Sequence, residues 1–344
     1  MTTPRHHFAS DNCAAICPEA LAAFIEANAE HAPSYGADAW TAEATRLIRE
    51  VFETDCEVFF VFTGTGANSL ALASLCESFD GVICAEHAHI VTDECGAPGF
   101  FAHGTTLTPI ATTHGKLAAG DIVRAATARR DIHHSRARAV SLTQSTEFGT
   151  VYSAPEIAEI AAAAHGLGLA VHMDGARFAN AVAGLGTTPR AITHDAGVDV
   201  LSLGGTKNGL PFGEAVVFFD RDLARHFEYR RKQGAQLASK MRYLSAPWVG
   251  LLRAGAWLRH ASHANTMAAA LERGLRELPG VTIAHPRGAN AVFATLPPAM
   301  ETALRAKGWL FYSDVDPSGA ARLMCSWDSS AEDVAAFLHD AREP

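Results

Sequence analysis

A lysine set among glycines and an aspartate beside a glycine, thirty-three positions apart, are the residues of this chain best able to do chemistry together. Lys207 lies in Val198–Pro211, VDVLSLGGTKNGLP, where an apolar run reads as a buried parallel strand opening through Gly204 and Gly205. Glycine lets a ligand approach the backbone closely, and a lysine at a strand's carboxyl end is well placed to form a Schiff base. Asp174 ends a second apolar stretch, LGLAVHMDGAR from Leu167 to Arg177, which delivers a carboxylate to the same rim. Alone, Asp-Gly is an ordinary turn and a lysine is an ordinary surface charge. Together they meet the two demands of pyridoxal phosphate: an amine for its aldehyde and a carboxylate that keeps its ring nitrogen protonated.

A phosphate needs a third element. Glu57–Phe62, EVFFVF, reads as a strand and runs into Thr63, Gly64, Thr65, Gly66, Ala67 and Asn68, followed by the helical SLALASLCESF. A strand that turns through glycines into a helix offers free N–H groups and the positive end of the helix dipole. It is not a dinucleotide fingerprint, because Ser69 stands where the third glycine belongs. After a short strand at Gly81–Cys84 comes AEHAHIVTDECGAPGFF, in which His89 is the candidate to lie over the cofactor ring. A metal site built from Glu86, His87, His89 and Glu94 is the rival reading, and spacing does not decide between them. His87 is expected to serve loop hydrogen bonds.

The 344 residues, 48% of them hydrophobic, suffice for a large domain and a smaller one. The net charge of −9 argues against nonspecific nucleic-acid binding and leaves a small molecule as the default partner. No apolar run reaches the roughly 20 residues needed to span a bilayer, and MTTPRHHFASDN lacks a signal's apolar centre, so the expected location is cytoplasmic. Seven scattered cysteines suit a reducing compartment, and Cys13 and Cys17 are too widely spaced for a CxxC, so no metal is expected.

Helices are expected at Pro18–Ala32, Trp40–Phe52 and Ala154–Leu167, and strands at Ala139–Thr143 and Ala215–Phe219. This β-α-β alternation implies an α/β fold, a mostly parallel central sheet covered by helices on both faces. The basic segment ARHFEYRRKQGAQLASKMR is either a solvated helix face or a source of anion-anchoring arginines. Pro247–Leu278 reads as one long helix, and VTIAH, NAVFATL, WLFYSDV and ARLMCSW as strands of a small α+β domain. The expected division is a large cofactor-binding domain, 1–246 with an amino-terminal arm, and a small one, 247–344.

TGTGAN, DECGAP, HMDGAR and LGGTKNG, in this order and spacing, resemble the low-specificity L-threonine aldolases and phenylserine aldolases among the fold-type-I pyridoxal-phosphate enzymes. The likeness runs from Ser10 to Arg322. It implies that Lys207 is the Schiff-base lysine and Asp174 the partner of the ring nitrogen. Arg177 would reach the cofactor's phenolic oxygen or the substrate carboxylate, and Gly64, Thr65 and Gly66 would hold the phosphate, with Arg242 a further anion ligand, across a subunit boundary in an oligomer. His89 matches the stacking histidine, His133 one near the substrate hydroxyl, and Ser10 and Arg322 the holders of the substrate carboxylate.

The implied reaction is retro-aldol cleavage of a β-hydroxy-α-amino acid, threonine, allo-threonine or phenylserine, to glycine and an aldehyde. His89 and His133 are the candidate bases, since neutral imidazole suits that role near neutral pH. β-Elimination and transamination use the same lysine and aspartate and stand as alternatives. Homotetramers built as dimers of dimers are implied too. Two departures stand out: Thr143-Gln144-Ser145-Thr146 replaces the common Glu-Asn-Thr-His, removing a polar group near the ring, and Thr206 replaces the serine before the lysine, preserving its hydroxyl. Phe8, Tyr35 and Trp40 are candidates to line a pocket for a bulky β-substituent, or else core and interface residues.

Overall fold

The apolar runs pair as their composition demands. The computed structural model describes residues 7–129 and 131–343; the head of the expected amino-terminal arm, residues 1–6, lies outside them. Strands β1 (Glu57–Val61), β2 (Asp80–Ala85), β3 (Thr106–Ile110), β4 (Arg136–Thr143), β5 (Ala170–Gly175), β6 (Val200–Leu203) and β7 (Glu214–Phe218) form one sheet. Its order is β1-β7-β6-β5-β4-β2-β3, parallel from β6 to β3, with β7 antiparallel to both its neighbours. Every residue of β2, β6 and β7 is buried, as near-continuous apolar strands covered on both faces should be. The register sets Thr143 beside Asp174 and Asp174 beside Ser202, so the carboxyl ends of β4, β5 and β6 finish at one rim.

The helix Gly64–Leu75 is apolar almost all round and correspondingly sunk, packing on the helices Ala97–Phe101 and Phe227–Gln233. Residues 282–324 contribute a second, antiparallel sheet of β8 (Thr282–Ile283), β9 (Ala291–Thr295) and β10 (Ala321–Met324). It has its own apolar cluster, including Leu271, Leu275, Val292, Trp309, Leu323 and Phe337. The long helix Ala256–Arg276 spans both cores: Trp257 and Ala261 pack with the large sheet, Leu271 and Leu275 with the small one.

Several expected elements are corrected. Pro247–Leu278 is not one helix: Arg242–Leu252 ends in a 3-10 turn, and Gly255, at φ +66°, starts a new helix at Ala256. The first helix stops at Glu26, short of Ala32. WLFYSDV is no ladder strand; it makes single bridges, Leu310 with His7 and Tyr312 with Arg322. β3 and the terminal helix Ala331–Arg342 were not foreseen.

The amino-terminal segment threads between the two sheets. Phe8 is buried in the small cluster, its ring stacked 5.6 Å from Trp309, and its carbonyl accepts the N–H of Met324 at 2.8 Å. Nine residues on, Cys17 donates its N–H to the Gly209 carbonyl at 2.8 Å, beside the lysine loop.

Candidate active site

The rim at the ends of β4, β5 and β6 opens into two adjoining chambers. The inner one, about 320 Å³, is lined by Thr63, Gly64, Thr65, Asp174, Lys207 and Glu214 among others. The outer, about 530 Å³, is lined by Ser10, His87, Glu147, Arg177, Tyr312 and Arg322 among others. Asn12, His89 and Lys207 face both. Eight of the expected site residues therefore converge from six separate stretches of chain.

Lys207 sits in a one-turn 3-10 helix, Thr206–Asn208, closed by Gly209 at φ +105°. Two contacts fix the approach. A Cβ on Gly204 would lie 2.5 Å from the Ala176 carbonyl oxygen, so only glycine permits this crossing of β5 and β6 loops. The buried Glu214 carboxylate accepts the Gly205 N–H; burial, partly offset by this bond, raises its pKa. The lysine amine has no hydrogen-bond or ion-pair partner among the described residues. Burial and the charge of Arg177 lower its pKa, which favours the neutral, nucleophilic amine.

Asp174 is oriented from both sides. Its Oδ1 accepts the Ala176 N–H at 2.9 Å and its Oδ2 the Asn68 amide at 2.8 Å. The same Asn68 nitrogen donates to Glu94 Oε1 at 2.8 Å, and Glu94 Oε1 lies 2.8 Å from His89 Nδ1. Asp174, Asn68, Glu94 and His89 thus form one chain of hydrogen bonds. Glu94 raises the pKa of His89, against the opposing effect of burial, while burial raises that of Glu94. The ligand atoms of His89, Glu94 and Asp174 lie within 4.8 Å of one another, a spacing a metal could share. The amide bridge already accounts for that closeness.

Thr63 caps the helix Gly64–Leu75, its hydroxyl accepting the Gly66 N–H at 3.0 Å. The N–H groups of Gly64 and Thr65 have no acceptor among the described residues and border the inner chamber. Gln236 holds this turn against the basic segment, accepting the Phe62 N–H at 2.8 Å; a Cβ on Gly66 would lie 2.7 Å from its amide carbon. Free first-turn donors, a fixed carboxylate and an unpartnered amine around one cavity match the donor set of pyridoxal phosphate: anion, ring nitrogen and aldehyde.

The outer chamber supplies two cations. Arg177 is clamped by the buried Asp11, Nε to Oδ2 at 2.7 Å and Nη2 to Oδ1 at 2.9 Å. Burial would raise the Asp11 carboxyl, but Arg177, with the Lys207 charge and the Asn290 amide, outweighs it and holds the pKa below the ordinary value. Arg322, on β10, lies over the Tyr312 ring and gives one N–H to the Ala9 carbonyl, while its buried Nε has no partner. Burial and the like charge of Arg177 lower its pKa, so the site is one that an anion would stabilise. Ser10 borders the same space.

Two expected residues lie elsewhere. His133 precedes β4, whose carboxyl end makes the rim; the eight residues of that strand put it at the opposite edge of the sheet, exposed, roughly 25 Å away at ~3.3 Å per residue. The loop it belongs to borders a separate groove of about 790 Å³ lined by Phe79, His134, Arg136 and Arg138, which holds none of the rim's groups. Arg242 points to the loop after the first helix, donating to the Glu30 carbonyl at 2.9 Å, and lies outside both chambers of its own chain. Phe8 is core, and Tyr35 and Trp40 lie away from the chambers; the aromatic lining is instead Phe62 and Phe212 in the inner chamber and Phe148, Phe293 and Tyr312 in the outer, with His87 4.9 Å from the Phe148 ring. Asn68, Glu147, Glu214 and Gln236 went unrecognised as contributors; Glu94 was named from its spacing to His89, but as a metal-ligand candidate rather than as that histidine's hydrogen-bond partner.

The beta-eliminating lyase family model matches residues 7–297. The chain is 54% identical to the low-specificity L-threonine aldolase of Pseudomonas aeruginosa over 99% of both chains, and equally so to that of a second Pseudomonas species. A solved Leishmania major threonine aldolase superposes with a TM-score of 0.92, at 28% identity and 98% coverage of each chain. With this fold, this rim and these relatives, the chain belongs to the low-specificity L-threonine aldolase family of fold-type-I lyases.

Proposed function

We propose that the chain binds pyridoxal 5'-phosphate and cleaves L-threonine-type β-hydroxy-α-amino acids between Cα and Cβ, giving glycine and an aldehyde. The observation that carries this reading is Lys207: an unpartnered amine shared by a chamber of anion donors and a chamber of arginines. Gly64, Thr65 and Gly66 would hold the phosphate, Asp174 the ring nitrogen and Lys207 the aldehyde, with His89 over the ring. Bound there, the cofactor supplies an electron-withdrawing ring that stabilises negative charge at Cα.

The residues of the outer chamber position the substrate. Arg322, with Ser10 beside it and Arg177 behind, offers its free Nε to a carboxylate. Pinning that group sets the rotation about Cα and thereby which bond is broken. Phe148, Phe293 and Tyr312 give the β-substituent an apolar wall, which supports phenylserine as a substrate beside the threonines.

Seven cysteines free as thiols support a cytoplasmic setting, and no helix of the described residues is long and apolar enough to cross a membrane. Phe62, Phe212 and Tyr243 line a hollow at the inner chamber's mouth, which supports a homo-oligomer, a tetramer as a dimer of dimers, with Arg242 serving a neighbouring copy. The second apolar cluster supports a small domain over 247–344.

The test is an absorbance spectrum of the purified protein and of Lys207→Ala, with products assayed after adding L-threonine, L-allo-threonine or phenylserine. A visible cofactor band lost in the variant, with glycine and aldehyde in equal amounts, is expected. Ammonia or a keto acid as product would move the enzyme to elimination or transamination, and no band after adding cofactor would sink the reading.

A further inference from the structure

Of the two bases suggested by the sequence, one lies at the far edge of the sheet and the other is engaged. His89 Nδ1 is held by Glu94, a bond that raises the ring's pKa and leaves only Nε2 to take a proton. A third group stands in the outer chamber. Glu147 occupies the tip of a tight loop after β4, closed by the Thr146 N–H to the Thr150 carbonyl at 2.9 Å and by their hydroxyls at 2.8 Å. The Gln144 side chain pairs with the Tyr152 backbone in both directions, at 2.8 and 2.9 Å, fixing the loop's base. Glu147 Oε1 accepts the His89 backbone N–H at 2.9 Å and the Thr143 hydroxyl lies near enough to lower its pKa, while its buried Oε2 makes no hydrogen bond among the described residues.

We propose that Glu147 is a catalytic residue, the base that takes the proton of the substrate's β-hydroxyl. This rests on the aldolase reading and names the group that reading leaves open. The O–H bond breaks with its proton passing to Glu147 Oε2. The freed pair makes the aldehyde C=O, the Cα–Cβ pair stays on Cα, and Cα is protonated by another group while Glu147 releases its proton to solvent. Burial, with the negative charge of Asp174 added, pushes the carboxyl up to about 7, so base and acid forms coexist near neutrality. The charged groups around it are Asp174, Arg177 and Lys207 on the rim, His87, His89 and Asp93 after β2, and Arg322 from β10.

Glu147→Gln keeps an oxygen for the His89 N–H and removes the base. In the variant, kcat for L-threonine cleavage is expected to fall about 10²- to 10⁴-fold, whereas the cofactor band and the exchange of glycine's α-hydrogen with solvent, which needs no hydroxyl base, stay near wild type. Infrared spectra of the cofactor-free protein should show a protonated-carboxyl band that titrates near neutral pH and is missing in Glu147→Gln. Glu147→Asp should recover part of the cleavage with a shifted acid limb in kcat. Parallel loss of exchange and cleavage, or undiminished cleavage, would overturn the assignment. A wild-type protein that exchanges glycine but cleaves no β-hydroxy amino acid would instead refute the aldolase reading.

Discussion

Asn68 shows how one amide organises the rim. Its single nitrogen serves both Asp174 and Glu94, keeping two buried carboxyl groups apart and aimed in different directions. Asn68→Ala leaves both without that donor, at a cost of about 1–3 kcal/mol. Thermal unfolding should report the loss, and equilibrium dialysis should show weaker retention of pyridoxal phosphate. Unchanged cofactor affinity would mean that the Ala176 N–H alone orients Asp174. Lys207 and Asp174 were legible in the sequence because reactive side chains beside glycines at strand ends are locally unusual. Asn68, Glu147 and Glu214 were not, because a lone amide or acid has no local signature and acquires its role only when distant strands meet. His133 fails for a related reason: a short motif carries no information about which edge of the sheet it occupies.

At the scale of elements, the strand ends were readable from apolar runs and the loops between them were not. The β5 and β6 loops cross with no room to spare: a Cβ at Gly204 meets backbone atoms of Ala176 at 2.5 to 2.8 Å, and backbone cannot swing aside as a side chain can. Gly204→Ala should therefore cost about 1–3 kcal/mol and displace Lys207, lowering both the melting temperature and the cofactor band. A melting temperature equal to wild type would show that the loops yield. The break at Gly255 was similarly hidden, since helical periodicity continues on both sides of one left-handed residue. Edge strand β3, TLTPI, half exposed and containing a proline, lacks the apolar run that marked its neighbours.

On the scale of the whole molecule, the amino-terminal segment joins the two sheets. Asp11 binds Arg177 of the large sheet's rim and accepts the Asn290 amide, at 3.1 Å, from the loop before β9. Breaking one partner of so buried a pair costs about 3–5 kcal/mol, which is the expected effect of Asp11→Asn at neutral pH. Because the folded carboxyl has a lowered pKa, its stabilisation is present above the ordinary aspartate value, about 4, and is lost as pH falls through the folded value. The gap in melting temperature between wild type and variant should thus shrink below pH ~4; a gap independent of pH would show that charge is not what Asp11 contributes. The same placement bears on how the protein is made. Phe8, Ala9 and Asp11 find partners at residues 290–324, 279 or more positions along the chain. During synthesis the segment around Phe8 emerges well before the small sheet that seats it, and is fixed only once that sheet has been made. A nascent chain therefore carries Lys207 long before it has Arg322, so the amine end of the site is made well ahead of the arginine on the small sheet that faces it.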